Sequence, residues 1–467
     1  MFSPMHTEDP MSRETRHSED DSTSRSAEAL EQATTQCLVR LGIAMHEVGF
    51  ASHEIESSVR EAARALETAA EVFATPTALF IGVGPQGAQR TLLHRLEPAN
   101  DDISGMADVL DIARAICAGA VAPREAEAQL DALTRARAIP PSHQAHVEWI
   151  FAFAISSGGA AALFGGGVAE VGMALALSAL IACIARLTSF GAAPVLGECI
   201  IAMTSSFGAS LAGTLGWISA PDIVALASII VFLPGLAMTR GLADLARRDL
   251  AAGTARLMGA LTGFLSLGLG VALGHALTRG AVDLLALPDL PLAPPATHWS
   301  LKVLASLVTP PALAVLLNAR RREVLAIGVG TVIASLGTEF GAALMGPNLG
   351  VGLGALALGV FANAWASRRR RPTATILVPG LILLVPGTMG LRSLELLMSA
   401  KTVDGISIAF ETLWISAALV AGLVVANALN PPPRATRRPL HDSARPAQAS
   451  AHPSWRRSLV GTDRRLR

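Results

Sequence analysis

The charged residues of this chain are unevenly spread, and their distribution limits what it can fold into more than any single motif does. Of its 74 Asp, Glu, Lys and Arg residues, 28 fall in the 282 positions from Trp149 to Asn430, about one in ten. The other 46 share the remaining 185 positions at about one in four, the usual density for soluble proteins. A membrane span needs about 20 predominantly apolar residues. Ten stretches of that kind occur, at roughly 149–169, 171–190, 199–219, 222–239, 257–278, 301–318, 323–340, 349–367, 373–392 and 408–429. A long apolar core between two polar regions excludes a wholly soluble enzyme and a disordered scaffold.

Arginine sets an orientation, because cytoplasmic loops accumulate Arg and Lys. With the N-terminal region placed inside, twelve arginines fall on inner loops or span ends: Arg186, Arg240, Arg247, Arg248, Arg256, Arg320 to Arg322 and Arg368 to Arg371. The outer side holds four basic residues, Arg279, Lys302, Arg392 and Lys401. The tail from Pro431 adds nine arginines and also falls inside. Both termini are predicted cytoplasmic.

A slide of 152 residues lays the fourth and fifth spans over the ninth and tenth without a gap. Pro234 meets Pro386, Gly235 meets Gly387, Arg240 meets Arg392, Gly253 meets Gly405 and Gly270 meets Gly422. Five spans per half is an odd number, so the second half must cross the membrane upside down relative to the first. Inverted repeats of this kind recur in secondary transporters, with substrate near the midplane at interrupted helices. Proline removes a helix donor and clashes with the preceding turn. The Pro-Gly pairs at Pro234-Gly235, Pro379-Gly380 and Pro386-Gly387 are therefore the candidate breaks and substrate-binding elements, with Ser205 and Ser206 as polar groups on the third span.

These residues resemble the threonine/serine exporter family of bacterial membrane proteins. The resemblance runs from about Glu31 to Pro431. It is carried by "FGGGVAE" (Phe164 to Glu170), "LPGLAMTRGLADL" in the first half, "VPGLILLVPGTMGLRSLEL" in the second, and "HEVGFASHEIESSVREAARAL" before the core. It implies a multi-pass protein of the cell (inner) membrane that exports threonine and serine, driven by the proton motive force. Its partners would be a small amino acid, protons and the lipid bilayer, with a homo-oligomer left open. Related half-length pairs are linked to dicarboxylate export, so succinate-like substrates are the alternative, ahead of a channel or a membrane-embedded hydrolase.

The region before the core reads as a polar, disordered leader over 1–28 and a compact α+β cytoplasmic domain over 29–145. Ile55, Val59, Ala62, Ala63 and Leu66 follow helical spacing. "EVFATPTALFIGVGPQGAQRTLLHRL" then turns to β-type residues, with Gly84-Pro85-Gln86-Gly87 as a hairpin turn. Gly82, Gly84 and Gly87 spell GxGxxG, but no helix is predicted to follow, so a dinucleotide loop is rejected. His46, His53, His94, Asp101, Asp102, Ser57 and Ser58 supply hydrolase residue types without a recognisable arrangement. Net charge is zero, which offers no field for nucleic acid. Cys37, Cys117, Cys183 and Cys199 show no metal or redox spacing. No GxxxxGK[ST] sequence suggests an ATP-driven pump, and no cofactor is expected.

The fold expected is thus an all-α polytopic membrane protein of about ten transmembrane helices, in inverted five-helix repeats over 149–278 and 301–429. A small α+β cytoplasmic domain precedes them, and a disordered basic tail over 431–467 follows. Ionisable groups inside the core are functional candidates by default. Glu170, Glu198, Glu339 and Glu411 lie at or near span ends, and Glu411 could exchange protons. Arg240 with Asp244 at i+4, and Arg392 with Glu395 at i+3, would form gates at the inner and outer ends of a central site.

Overall fold

The computed structural model describes residues 10–84, 87, 89–97, 99, 101–140, 142–187, 194–286, 295, 298–384, 387–398 and 401–433. They fall into two compact units. One takes in the chain before Asp101 together with 108–139; the other takes in 101–107 and 140–433.

The first unit is α+β. Helix α1 (Pro10–Glu47) begins inside the stretch whose composition reads as a leader, and Ala33 is the first buried apolar residue on it among those described. Helix α2 (Ser52–Ala65) buries Ile55, Val59, Ala62 and Ala63, one stripe at three-to-four spacing. Strands β1 (Ala70–Thr75), β2 (Ala78–Val83) and β3 (Arg90–Arg95) form an antiparallel meander in the order β1-β2-β3. Helices α3 (Ile103–Cys117) and α4 (Pro123–Ala138) follow. Gly84 and Gly87 take φ of 117° and 92° between β2 and β3, a conformation that suits glycine. Pro85 and Gln86 of the predicted turn lie outside the described residues. The next element is a strand, so the GxGxxG letters form no phosphate loop. His46 is buried, with Nε2 2.9 Å from the Glu97 carbonyl oxygen, a packing role rather than a catalytic one.

The second unit is helical, and the chain is a multi-pass membrane protein. Its first half contains α5 (His143–Leu163), α6 (Val168–Leu187), α7 (Pro194–Thr214), α8 (Pro221–Ser228), α9 (Gly235–Ala246) and α10 (Leu250–Leu285). Its second contains α11 (Trp299–Leu316), α12 (Val324–Met345), α13 (Pro347–Arg369), α14 (Ala374–Leu384), α15 (Gly387–Met398) and α16 (Thr402–Leu429). Among the described residues nine helical segments are long and apolar enough to span, with α14 and α15 counted as one. The pair α8 and α9, bent by 54°, makes a tenth. The exposed faces are apolar too: Leu261, Leu265, Leu269, Leu273 and Leu277 line one side of α10 at i+4 spacing, as a lipid-facing stripe would.

With no hydrophobic drive between helices in lipid, close backbone packing through small residues holds such bundles together. The two halves use equivalent residues for it. A Cβ at Gly270 of α10 would collide with the Cys199 carbonyl oxygen of α7, and one at Gly422 of α16 with the Gly352 carbonyl oxygen of α13. A Cβ at Gly253 would lie 2.7 Å from Leu245 Cγ, and one at Gly405 2.7 Å from Leu397 Cγ. All these glycines and leucines are 152-residue mates. The α7 and α13 partners, Cys199 and Gly352, are offset by 153 residues, one more than the slide.

Candidate functional site

The first break is built by Pro234. The chain leaves α8 through a 3₁₀ turn at Ile230–Phe232, and Pro234 caps α9 with φ −77° and ψ 24°, without a side-chain capping bond. The first helical bond of α9 runs from Met238 N–H to the Pro234 carbonyl at 3.0 Å. The N–H groups of Gly235, Leu236 and Ala237 therefore point out of the helix start without an intrahelical acceptor. In the second half α14 ends at Leu384 and α15 starts at Gly387; Pro386 lies outside the described residues. The two starts meet. A Cβ on Gly387 would sit 3.5 Å from Gly235 Cα and 3.3 Å from Leu233 Cβ. Both glycines are buried.

A carboxylate stands beside this junction. A Cβ on Gly263 of α10 would lie 3.3 Å from Pro234 Cγ and 3.7 Å from Glu198 Oε2, which places half-buried Glu198 of α7 next to the break. Pro379 and Gly380 do not interrupt their helix: α14 continues to Leu384, and a Cβ at Gly380 would press on Leu358 Cδ2 at 2.6 Å. Here Gly380, beside the proline, packs against Leu358 of the neighbouring helix α13. Ser205 and Ser206 are fully buried and already engaged. Their hydroxyls donate to the Ala225 carbonyl at 2.7 Å and the Val271 carbonyl at 3.0 Å, tying α7 to α8 and α10.

Two ionic layers flank the junction. One gathers at the start of α10: Arg256 Nη1 lies 3.1 Å from Asp244 Oδ2, and Arg240 Nη1 lies 2.8 Å from Asp101 Oδ1. The other gathers near its end. His275 Nε2 is 3.3 Å from Glu395 Oε1 of α15, and His275 Nδ1 is 3.0 Å from Ser210 Oγ of α7. Asp222 at the start of α8 shares a small cavity with His275 and Glu395, roofed by Ala225, Leu226, Ile229 and Val271. Arg392 lies within electrostatic reach of Asp222, and Arg279 within reach of His275. Arg256 and His275 are nineteen residues apart on one helix, about 28 Å at 1.5 Å per residue. That is close to the thickness of a bilayer's hydrocarbon core.

Helical spacing thus finds the arginines and Glu395, while the ring opposite Glu395 comes from another helix. Arg240 reaches Asp101, far away in sequence, and Asp244 receives Arg256. Glu411 is half-buried on α16, and among the described residues no hydrogen bond or ion pair joins it to either layer. His275 and Asp222 escape a motif search; the available signal was an imidazole and a carboxylate inside otherwise apolar stretches. Glu170 has a structural task. Buried at the start of α6, it accepts from Gly167 N–H at 2.9 Å and from Ser219 N–H at 2.7 Å, which accounts for the last residue of "FGGGVAE".

Residues 36–278 match the family model ThrE, a threonine/serine exporter, and residues 302–429 match the model described as "Threonine/Serine exporter, ThrE". A curated relative, the threonine/serine exporter of Corynebacterium glutamicum, is 26% identical over 353 residues, covering 73% of this chain and 71% of its own. No solved structure matches.

Proposed function

This chain belongs to the threonine/serine exporter family, and on that premise we propose that it carries threonine and serine out of the cytoplasm in exchange for entering protons. The observation that carries the reading is the meeting of Gly235 with Gly387, where two helix starts face each other. A helix start offers free N–H groups and the positive end of its dipole, which suits an anion. Two of them can take the α-carboxylate of an amino acid. Glu198, beside Pro234, supplies the charge for the α-ammonium group. Pro234, Gly235, Pro386 and Gly387 are accordingly the substrate-binding segment, while Ser205, Ser206, Pro379 and Gly380 fix the helices around it.

The halves act as inverted repeats in the cell membrane with both termini cytoplasmic, a reading supported by the odd number of crossings and the arginine asymmetry. Arg240, Asp101, Asp244 and Arg256 close the cytoplasmic end. Arg392, Glu395, His275 and Asp222 close the outer end. Alternating access opens one layer while the other stays shut. Nothing in this scheme requires chemistry on the substrate, so the chain works as an exporter rather than an enzyme.

The test is counterflow in vesicles containing purified protein. Labelled threonine should exchange against threonine and serine and not against succinate. Glu198→Gln should raise the threonine KM about tenfold or more, the cost of one charge-assisted contact. Exchange of succinate in place of threonine would overturn the substrate, and an unchanged KM in Glu198→Gln would remove the ammonium site.

A further inference from the structure

The layer near the end of α10 differs in kind from the one at its start. Arginine is charged at every physiological pH, so the Arg240 and Arg256 pairs cannot change charge there. The opposite layer is centred on an imidazole, whose charge changes within the physiological range. His275 has each ring nitrogen in contact with a different helix: Nε2 with Glu395 of α15 and Nδ1 with Ser210 of α7. Asp222 of α8 completes the cavity wall. The charged groups around the ring are Glu395 and Arg392 on α15, Asp222 on α8 and Arg279 on α10 itself. On α7 the facing polar group is the Ser210 hydroxyl, and the ionisable residues Arg240 and Asp244 of α9 belong to the other layer.

We propose that His275, Glu395, Asp222 and Ser210 form a proton-binding clasp that joins the first half of the transporter to α15 of the second. The inference rests on the transporter reading above and assigns its proton site.

With the ring protonated, both nitrogens donate, Nε2–H to Glu395 and Nδ1–H to Ser210, and the cation sits between two carboxylates. The clasp is then closed. When the proton leaves, the Nε2–H still reaches Glu395, while the Ser210 hydroxyl turns to donate to Nδ1. Glu395 and Asp222 are left facing a neutral ring across one cavity, and their mutual repulsion drives α15 from α8. One proton enters from the solution bathing this layer as the clasp closes and leaves towards the cytoplasm while the inner layer is open, so one proton moves inward per cycle; no other group changes covalently. Because α15 begins at Gly387, movement at the clasp is transmitted along one short helix to the substrate-binding junction.

The full-length protein in lipid vesicles is the material for the test, with His275→Gln as the main variant. Gln keeps two hydrogen-bonding ends but cannot carry the proton. Stimulation of net threonine transport by a pH gradient, measured relative to the variant's own rate without a gradient, should vanish. Glu395→Gln should retain gradient stimulation with a displaced pH profile. A second readout needs no substrate. A cysteine at Ala225, in the cavity wall, should react about fivefold or more faster at about pH 8.5 than at about pH 5.5, after normalisation to the same thiol in unfolded protein. Peptide mapping separates it from the native cysteines, and adding His275→Gln should abolish the pH effect. Full gradient stimulation in His275→Gln, or pH-dependent labelling at position 225 that survives the substitution, overturns the clasp. If wild-type protein moves no threonine while the labelling behaves as expected, the substrate reading fails and the clasp stands.

Discussion

Replacing Gly270 or Gly422 with alanine tests whether the two halves are held together by equivalent backbone contacts. A methyl on Gly270 would overlap the Cys199 carbonyl oxygen and lie 2.8 Å from Ala202 Cβ and 3.0 Å from Met203 N. Ordinary C···O contact begins at about 3.3 Å, so α7 and α10 must part by roughly 1 Å. The obstacles are mostly backbone and cannot rotate aside. At Gly422 the obstacles are the Gly352 carbonyl and Leu356 N, 3.0 Å from the added carbon. Overpacking of this kind costs about 1–3 kcal/mol. Parting α7 from α10 also strains the buried Ser206–Val271 bond, worth about 1 kcal/mol. Against this, alanine gains about 1 kcal/mol over glycine in a helix interior. Gly280→Ala on the same α10 is the control, since a Cβ there meets nothing within 4 Å and keeps only the gain. Thermal unfolding of the purified protein should place Gly270→Ala and Gly422→Ala below Gly280→Ala by about 2–10 °C in Tm. Equal Tm values for all three would refute the packing argument, and a loss at Gly270 alone would refute the equivalence of the halves.

Three further outcomes are expected. Asp244→Asn leaves the Arg256 cation without its partner carboxylate and should destabilise by about 3–5 kcal/mol, whereas Asp244→Asn with Arg256→Met should recover much of that, as read by denaturant unfolding. Arg240→Gln should alter threonine access from the cytoplasmic face and Arg392→Gln access from outside, compared in vesicles of both orientations; no change on either face would make them surface charges. Burial, helped by the nearby Glu127 carboxylate, pushes the Cys37 thiol up to about 12. With the thiolate the reactive species, labelling of Cys37 by iodoacetamide at about pH 8 should run roughly a thousandfold slower than for the same thiol in unfolded protein, and comparable rates would show that α1 opens readily.

Much of the fold is legible in the sequence because lipid imposes a simple rule. Every backbone polar group in the bilayer must be satisfied internally, so a run of about 20 apolar residues becomes a helix. Each of the ten stretches located by hydropathy corresponds to a spanning helix or a broken pair in the structure. Pro234 likewise announces its break through local chemistry, because a missing N–H disrupts the helix wherever the chain goes. Pro379 does not, since whether a proline bends or is absorbed depends on the packing around it, here a helix that runs on to Leu384 with Gly380 against Leu358 of α13.

Pairings across helices are the part that sequence spacing could not reach. Arg240 and Asp244 lie one turn apart on α9, yet the structure sends Arg240 to Asp101 and gives Asp244 to Arg256, because the side chains point to different neighbours. His275 meets Glu395 across 120 residues of chain, and Ser210 across 65. By itself the sequence determined which segments enter the membrane, where one helix must break and which glycines repeat, since each follows from a residue's own chemistry and its immediate neighbours. Only the tertiary structure decided that the two helix starts touch, that Glu198 stands beside them and that an imidazole joins the halves. Such contacts depend on helix rotation and close approach in three dimensions, and no spacing along a single helix encodes them.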